Sequence, residues 1–179
     1  MSKIVSKEFF SENVVKLEVE APLIARSRKA GHFVIVRVDA NGERIPLTIA
    51  DSDTEKGTIT LVIQKIGASS TKITNLNVGD ELLDVVGPLG KATHIDKFGT
   101  VVCSGGGVGV APLLPIIKAM KAAGNKVISV LAARTKDLVI LEEQVREYSD
   151  EVVIMTDDGS YGKAGRVTDG IEEIAKREK

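Results

Sequence analysis

Thr100-Val101-Val102-Cys103-Ser104-Gly105-Gly106-Gly107-Val108-Gly109-Val110-Ala111-Pro112-Leu113-Leu114-Pro115-Ile116-Ile117 decides the fold. A short continuous apolar run passes through a glycine-rich bend into an amphipathic stretch, the order of strand, loop and helix in a parallel βαβ unit. The pattern continues through KVISVLAAR, LEEQVREY and EVVIMTDD. This half of the chain therefore predicts three parallel strands and a closing charged helix through Ile171-Glu172-Glu173-Ile174 to Lys179.

N-terminal to Gly87-Pro88-Leu89-Gly90 the period is two instead: Val15, Leu17, Val19; Phe33, Ile35; Ile59, Leu61, Ile63. Alternation of this kind marks strands with one buried face. Asn41-Gly42 between GHFVIVRVDA and ERIPLTIA predicts a short hairpin, and Val78-Gly79-Asp80 opens a further strand, GDELLDVVGP. Six or so short strands with one helical interruption near STKITNL read as a small antiparallel barrel. The change of pattern puts the boundary between Ile95 and Gly99, giving domains 1–97 and 98–179.

Composition narrows the function classes. The chain has 179 residues with 43% hydrophobic and 27% charged, which describes a folded chain and not a disordered one. Lys plus Arg number 24 against Asp plus Glu 25, so there is no overall basic field to hold nucleic acid. Charges interrupt every apolar run before about 18 residues, so no membrane span is expected. The single Cys103 cannot form an internal disulfide or ligate zinc or an iron-sulfur cluster alone, which points to a reducing, cytoplasmic setting. It reads as a core strand residue.

Chemistry-bearing residues fall in two groups. Gly105, Gly106, Gly107 and Gly109, with Pro112 in the first helical turn, allow an anion to reach backbone N–H groups and the positive end of a helix dipole. A tight structural turn explains the same glycines, and the common G-x-G-x-x-G spacing fails at Val110. Arg134 ends the second parallel strand, where it suits an adenosine phosphate or a solvated surface; Asp157 and Asp158 follow the third, at the carboxyl edge or in a plain polar turn. In the barrel half, Arg44-Ile45-Pro46-Leu47-Thr48 combines a permanent cation, a rigid apolar wall and a hydroxyl. Gly67-Ala68-Ser69-Ser70-Thr71 opens a short helix with hydroxyls that suit a phosphate, or an N-cap at Ser69 or Ser70.

R-x-P-L-T, then Q-K-I-G-x-S-S-T, G-P-L-G, V-x-C-S-G-G-G-V-G-V-A-P, A-A-R-T and T-D-D-G-S-Y-G, in this order over nearly the whole chain, resemble the ferredoxin-NADP reductase superfamily. Within it the pattern is most similar to the electron-transfer subunit of dihydroorotate dehydrogenase and, more closely, the small subunit of NADH-dependent ferredoxin:NADP oxidoreductase. The resemblance implies a Greek-key barrel that binds FAD, followed by a Rossmann-like α/β domain that binds NAD(P)H. It places Arg44 on the flavin diphosphate, Pro46, Leu47 and Thr48 along the flavin, with Thr48 as the catalytic contact at the ring edge, and Gln64 and Lys65 flanking it. Gly67, Ser70 and Thr71 would hold FAD phosphate; Gly105, Gly106, Gly107, Gly109 and Pro112 would approach the nicotinamide cofactor, with Arg134, Asp157 and Asp158 on the adenosine side. The implied chemistry is hydride transfer to flavin and electron release to a larger subunit or a ferredoxin-like carrier, without an acid-base side chain, so His32 and His94 are not recruited. Relatives carry further strands and a cysteine-rich tail for a [2Fe-2S] cluster, which these residues cannot form. The parallel sheet is therefore expected to be incomplete, with an open edge that predicts either homo-oligomers or low stability. A non-catalytic FAD-binding scaffold or regulatory module stands as the alternative.

Overall fold

Alternating burial carries the first strands: β1 (Ser2–Ser11), β2 (Val14–Glu20), β3 (Phe33–Arg37), β4 (Ile45–Asp53), β5 (Thr58–Gln64), β6 (Glu81–Leu82) and β7 (Asp84–Leu89). The computed structural model describes residues 1–178; Lys179 lies outside the described residues. The chain divides into two compact units between Thr93 and His94. In the first, the strand order is β6-β1-β2-β5-β4-β3-β7. Antiparallel pairing of β2 with β5 skips β3 and β4, which is the Greek-key step. The two ends of the order, β6 and β7, are separated only by Leu83, whose N–H donates to the Val38 carbonyl at 3.1 Å. The sheet thus curls into a nearly closed barrel around Ile4, Val15, Leu17, Val19, Val34, Val36, Ile49, Ile59, Leu61 and Ile63. Burying each of these large aliphatic side chains contributes roughly 1.5–3 kcal/mol.

Three local expectations change. β3 and β4 do pair, with Phe33 opposite Thr48 and Val36 opposite Ile45, but Val38–Arg44 connect them in place of a two-residue turn. Asp39 folds this longer loop, its carboxylate accepting the Asn41 N–H at 3.0 Å and its carbonyl the Gly42 N–H at 3.0 Å. GDELLDVVGP is two strands, because the chain leaves β1 at Leu82 and joins β3 at Asp84. A helix not anticipated, α1 (Pro22–Ser27), starts with Pro22, whose missing N–H costs nothing at that position, and buries Ile24 and Ala25. The expected helical interruption is α2 (Ala68–Asn75), seated on the barrel by buried Ile73.

The second unit is a parallel sheet in chain order: β8 (Thr100–Gly106), β9 (Lys126–Ala133), β10 (Glu151–Thr156) and β11 (Lys163–Ala164). The expected three strands are four, since Tyr161-Gly162 returns the chain for two residues beside β10, with Met155 opposite Lys163. Helices α3 (Val110–Ala122), α4 (Glu142–Tyr148) and α5 (Val167–Arg177) follow β8, β9 and β11. Pro115 lies inside α3 and is buried; it removes one i to i−4 bond, yet the helix continues to Ala122 on its packed face. β8 and β11 are the edge strands, and Val102 on β8 is 39% exposed.

Asn125 organises the start of this unit. It is 3% exposed, and its amide donates to the carbonyls of Asp96 at 2.8 Å and Met120 at 2.9 Å. Its Oδ1 accepts the N–H groups of Phe98 at 2.6 Å and Gly99 at 3.0 Å. Asn125→Ala strands those buried groups and is expected to destabilise the second unit by about 3 kcal/mol. Urea unfolding followed by hydrogen exchange should show lost protection in β8 and β9 with the barrel strands unchanged.

Candidate functional site

The same alternation that fills the barrel divides the R-x-P-L-T segment. Ile45 and Leu47 pack against the core and Ile49 is buried within it, so Pro46 and Thr48 share the opposite face of β4, and Arg44 immediately precedes the strand. Leu47 thus presents its side chain to the core, away from that row. Pairing of β4 with β5 begins at Ile49 opposite Leu61. Over Ile45–Thr48 the ladder is with β3 alone, which is why a proline is tolerated at position 46.

Antiparallel geometry then gathers the motifs. With Ile49 opposite Leu61, residues before Ile49 on β4 and after Leu61 on β5 lie at one end of the barrel. Gln64 ends β5, exposed, and Lys65 is fixed by its N–H to the Asn13 carbonyl at 2.8 Å. Ile66 projects into solvent at 81% exposure, and Gly67 to Thr71 form the start of α2. Two side-chain bridges dock this helix on the β3–β4 loop: the Ser69 hydroxyl donates to Glu43 at 2.5 Å, and Lys72 pairs with Asp39. The Lys72 ammonium holds the Asp39 carboxyl below its ordinary value. Glu43 precedes Arg44, so the cation and the helix start are neighbours.

The cap at α2 differs from expectation. Gly67, not a serine, is the N-cap residue. Ser70 reaches back, its hydroxyl accepting the N–H groups of Gly67 at 3.0 Å and Ile66 at 3.1 Å. A Cβ built on Gly67 would meet nothing within 4 Å, so this glycine leaves the approach to the helix start open. A guanidinium, hydroxyls and an uncovered helix N-terminus together fit a diphosphate-bearing cofactor. Sequence reading missed Glu43, Ile66 and Asp84 here; none belongs to a motif, and only the register reveals them. The Asp84 carboxylate accepts from Arg44 at 3.1 Å and Arg37 at 2.7 Å.

In the second unit, a 3₁₀ turn over Gly107–Gly109 joins β8 to α3 without any side-chain cap. Gly105 is favoured by crowding, because a Cβ would lie 3.1 Å from the Gly109 carbonyl oxygen; Gly107 is favoured by its φ of +52°. A Cβ on Gly107 or Gly109 would meet nothing within 4 Å, and one on Gly106 only ordinary contacts. This surface therefore stays bare, as an anion at a helix start needs. Pro112 stands at the third helical position, still where no i−4 carbonyl is lost. Cys103 is 5% exposed, and burial pushes its thiol pKa up.

The ends of β9 and β10 are laced together. Asp157 and Asp158 donate their N–H groups to the Ala133 and Arg134 carbonyls at 3.1 and 3.3 Å. The Lys136 N–H reaches the Ser160 hydroxyl at 2.9 Å, and Thr156 holds both polar groups of Tyr161's backbone. Arg134, Asp157 and Asp158 are exposed around this junction. Hydrogen bonds from Ser160 hold the Asp158 carboxyl below its ordinary value. His32 is a structural acceptor, its Nδ1 taking the Lys29 N–H at 3.1 Å, and His94 is exposed near Asp96.

The oxidoreductase FAD-binding domain model matches residues 1–94, more than half of the chain. The chain belongs to that family. This member of the oxidoreductase FAD-binding domain family is 41% identical, over all of its length and 63% of the relative's, to a dihydroorotate dehydrogenase B electron transfer subunit homolog of Thermotoga maritima. It is 35% identical to the dihydroorotate dehydrogenase B electron transfer subunit of Geobacillus thermodenitrificans, over 95% of this chain and 68% of that one. The structure of an NADH-dependent reduced ferredoxin-NADP oxidoreductase superposes with a TM-score of 0.95 at 38% identity, covering 99% of this chain and 64% of the other. Phthalate dioxygenase reductase shares the fold, with a TM-score of 0.72 at 19% identity over 89% of this chain and 52% of that chain. The chain thus spans between about half and two thirds of the length of these relatives. Among the described residues no helix is long and apolar enough to cross a membrane, and no cluster of His, Cys, Asp and Glu could hold a metal ion.

Two measurements probe the second unit. Gly162 has φ +67°, and a Cβ there would lie 2.3 Å from the Ile154 carbonyl oxygen. Gly162→Ala is expected to detach β11 and cost at least about 2 kcal/mol in a thermal melt. Because Asp158 is depressed when folded, the Ser160 cap is present above the ordinary carboxyl pKa of 3.8 and is lost as pH falls through the lower folded value. The Ser160 amide proton resonance should titrate with a midpoint below 3.8.

Proposed function

We propose that this chain is a flavin-dependent electron-transfer subunit that moves electrons between NAD(P)H and a partner redox protein through FAD. The supporting observation is the gathering of Arg44, Thr48 and the open start of α2 at one end of a barrel of the FAD-binding family. Arg44 meets the diphosphate, and the N–H groups of Ala68 and Ser69 with the Thr71 hydroxyl receive phosphate at the helix start, whose turn Ser70 holds through Gly67 and Ile66. Thr48 offers a hydroxyl to the polar edge of the flavin ring, Pro46 gives an apolar wall in the same row, and Gln64 and Lys65 border it. Leu47 contributes by anchoring β4 in the core rather than by touching the ring.

Bound FAD supplies a two-electron acceptor for hydride from the nicotinamide and single-electron steps toward an acceptor protein. The protein's own task is orientation, since fixing two reactants can contribute roughly 7–11 kcal/mol to lowering a barrier. Gly105, Gly106, Gly107, Gly109 and Pro112 keep the approach to the α3 start clear for the dinucleotide diphosphate. Arg134 and the exposed carboxylates of Asp157 and Asp158 border its adenosine end, the arginine suiting a 2′-phosphate and the acids a ribose hydroxyl. No side chain has to move a proton. The acceptor is a larger oxidoreductase subunit or a ferredoxin-like carrier, a reading supported by one relative's name as an electron transfer subunit and another's as a ferredoxin-NADP oxidoreductase.

The visible spectrum of the purified chain tests this, with FAD added and then NADH or NADPH under anaerobic conditions. The expected result is a bound flavin spectrum bleached by one nucleotide. A chain that neither retains FAD nor quenches its fluorescence overturns the assignment. Flavin that neither nucleotide bleaches would favour the scaffold reading.

A further inference from the structure

Asp84 is not part of any motif, yet one oxygen of its carboxylate serves two arginines. It lies directly opposite Arg37 across the β3–β7 ladder and accepts the Arg37 Nε–H at 2.7 Å. The same Oδ2 accepts from Arg44 Nη2 at 3.1 Å. The Arg37 side chain is 20% exposed and that of Asp84 26%, whereas Arg44 is 56% exposed. The ion pair with Arg37 is thus the sheltered, fixed half of the triad, and Arg44 is its outward half.

We infer that Asp84 is a positioning residue for diphosphate recognition, holding Arg44 just ahead of Pro46 and Thr48 before any ligand arrives. This rests on the flavin reading above. A guanidinium carries five N–H donors in a rigid fork. One nitrogen bound to Asp84 restrains the exposed group, and among the described residues the remaining donors have no other partner. An exposed arginine otherwise loses much rotamer freedom on binding an anion. The negative charge does not cancel this benefit, because Asp84 is shared by two cations and leaves the triad with one net positive charge. At so exposed a guanidinium, moreover, high dielectric weakens the carboxylate's competition with phosphate.

The opposite role is physically conceivable and gives the opposite sign: a carboxylate that occupies Arg44 would have to be displaced, and its removal would tighten binding. Fluorescence titrations of the full chain with FAD and with riboflavin, which lacks phosphate, separate the two. Asp84→Asn is expected to weaken FAD binding about fivefold and leave riboflavin binding unchanged. Adding Asp84→Asn to Arg44→Gln should cause no further loss, since the effect acts through Arg44. If Asp84→Asn alone melts early because Arg37 is left uncompensated, the pair Arg37→Gln with Asp84→Asn removes both inner charges and should show the same loss confined to FAD. Unchanged or tighter FAD binding, or an equal loss for riboflavin, overturns the inference while the flavin reading stands. A wild-type chain that binds no FAD overturns both.

Discussion

Successive side chains on an extended strand point to opposite faces, and on β4 this alternation ties the barrel core to the candidate site. Ile45, Leu47 and Ile49 enter the hydrophobic interior, and that burial fixes register, because a slip of one residue would expose all three. Pro46 and Thr48 are thereby turned to the other face, with Arg44 just ahead of them. The remaining devices attach to this strand: the helix α2 through Glu43 and Asp39, and the arginine through Asp84 on β7.

The second unit uses a different constraint. Its strands are parallel, so every strand delivers its carboxyl end, and the loop that follows, to one edge of the sheet. Glycine at 105 and 107 answers to backbone geometry, crowding in one case and a positive φ in the other. Glycine at 109 answers to neither, and the space beside it is open. The junction of Arg134 with Asp158 follows from the lateral pairing of β9 and β10, which aligns Ala133 with Thr156.

Much of this was legible in the chain. Period-two alternation located most barrel strands, and continuous apolar runs located β8, β9 and β10, because burial on one or two faces leaves its period in the sequence. The motifs that carry the family resemblance were legible as well. Short elements were not: β11 has two residues and α1 six, too few for any period to show. Asn41-Gly42 misled because Asp39, two residues earlier, offers the backbone an alternative hydrogen bond that opens the tight turn into a longer loop. Leu47 belonged to the R-x-P-L-T motif by its letters and to the core by its parity. Asp84 and Glu43 stayed invisible because each acts across strands or loops distant in sequence, and Asn125 because one buried amide leaves no pattern.

Cys103 has a further consequence. It is the only thiol in the chain, it is buried in β8, and burial keeps it protonated and poorly nucleophilic. Alkylation in native buffer therefore proceeds only through molecules whose second unit has opened around that strand. Each opening that is caught leaves one covalent adduct, so the chain carries its own clock for the breathing of its α/β half, readable by mass without any introduced label.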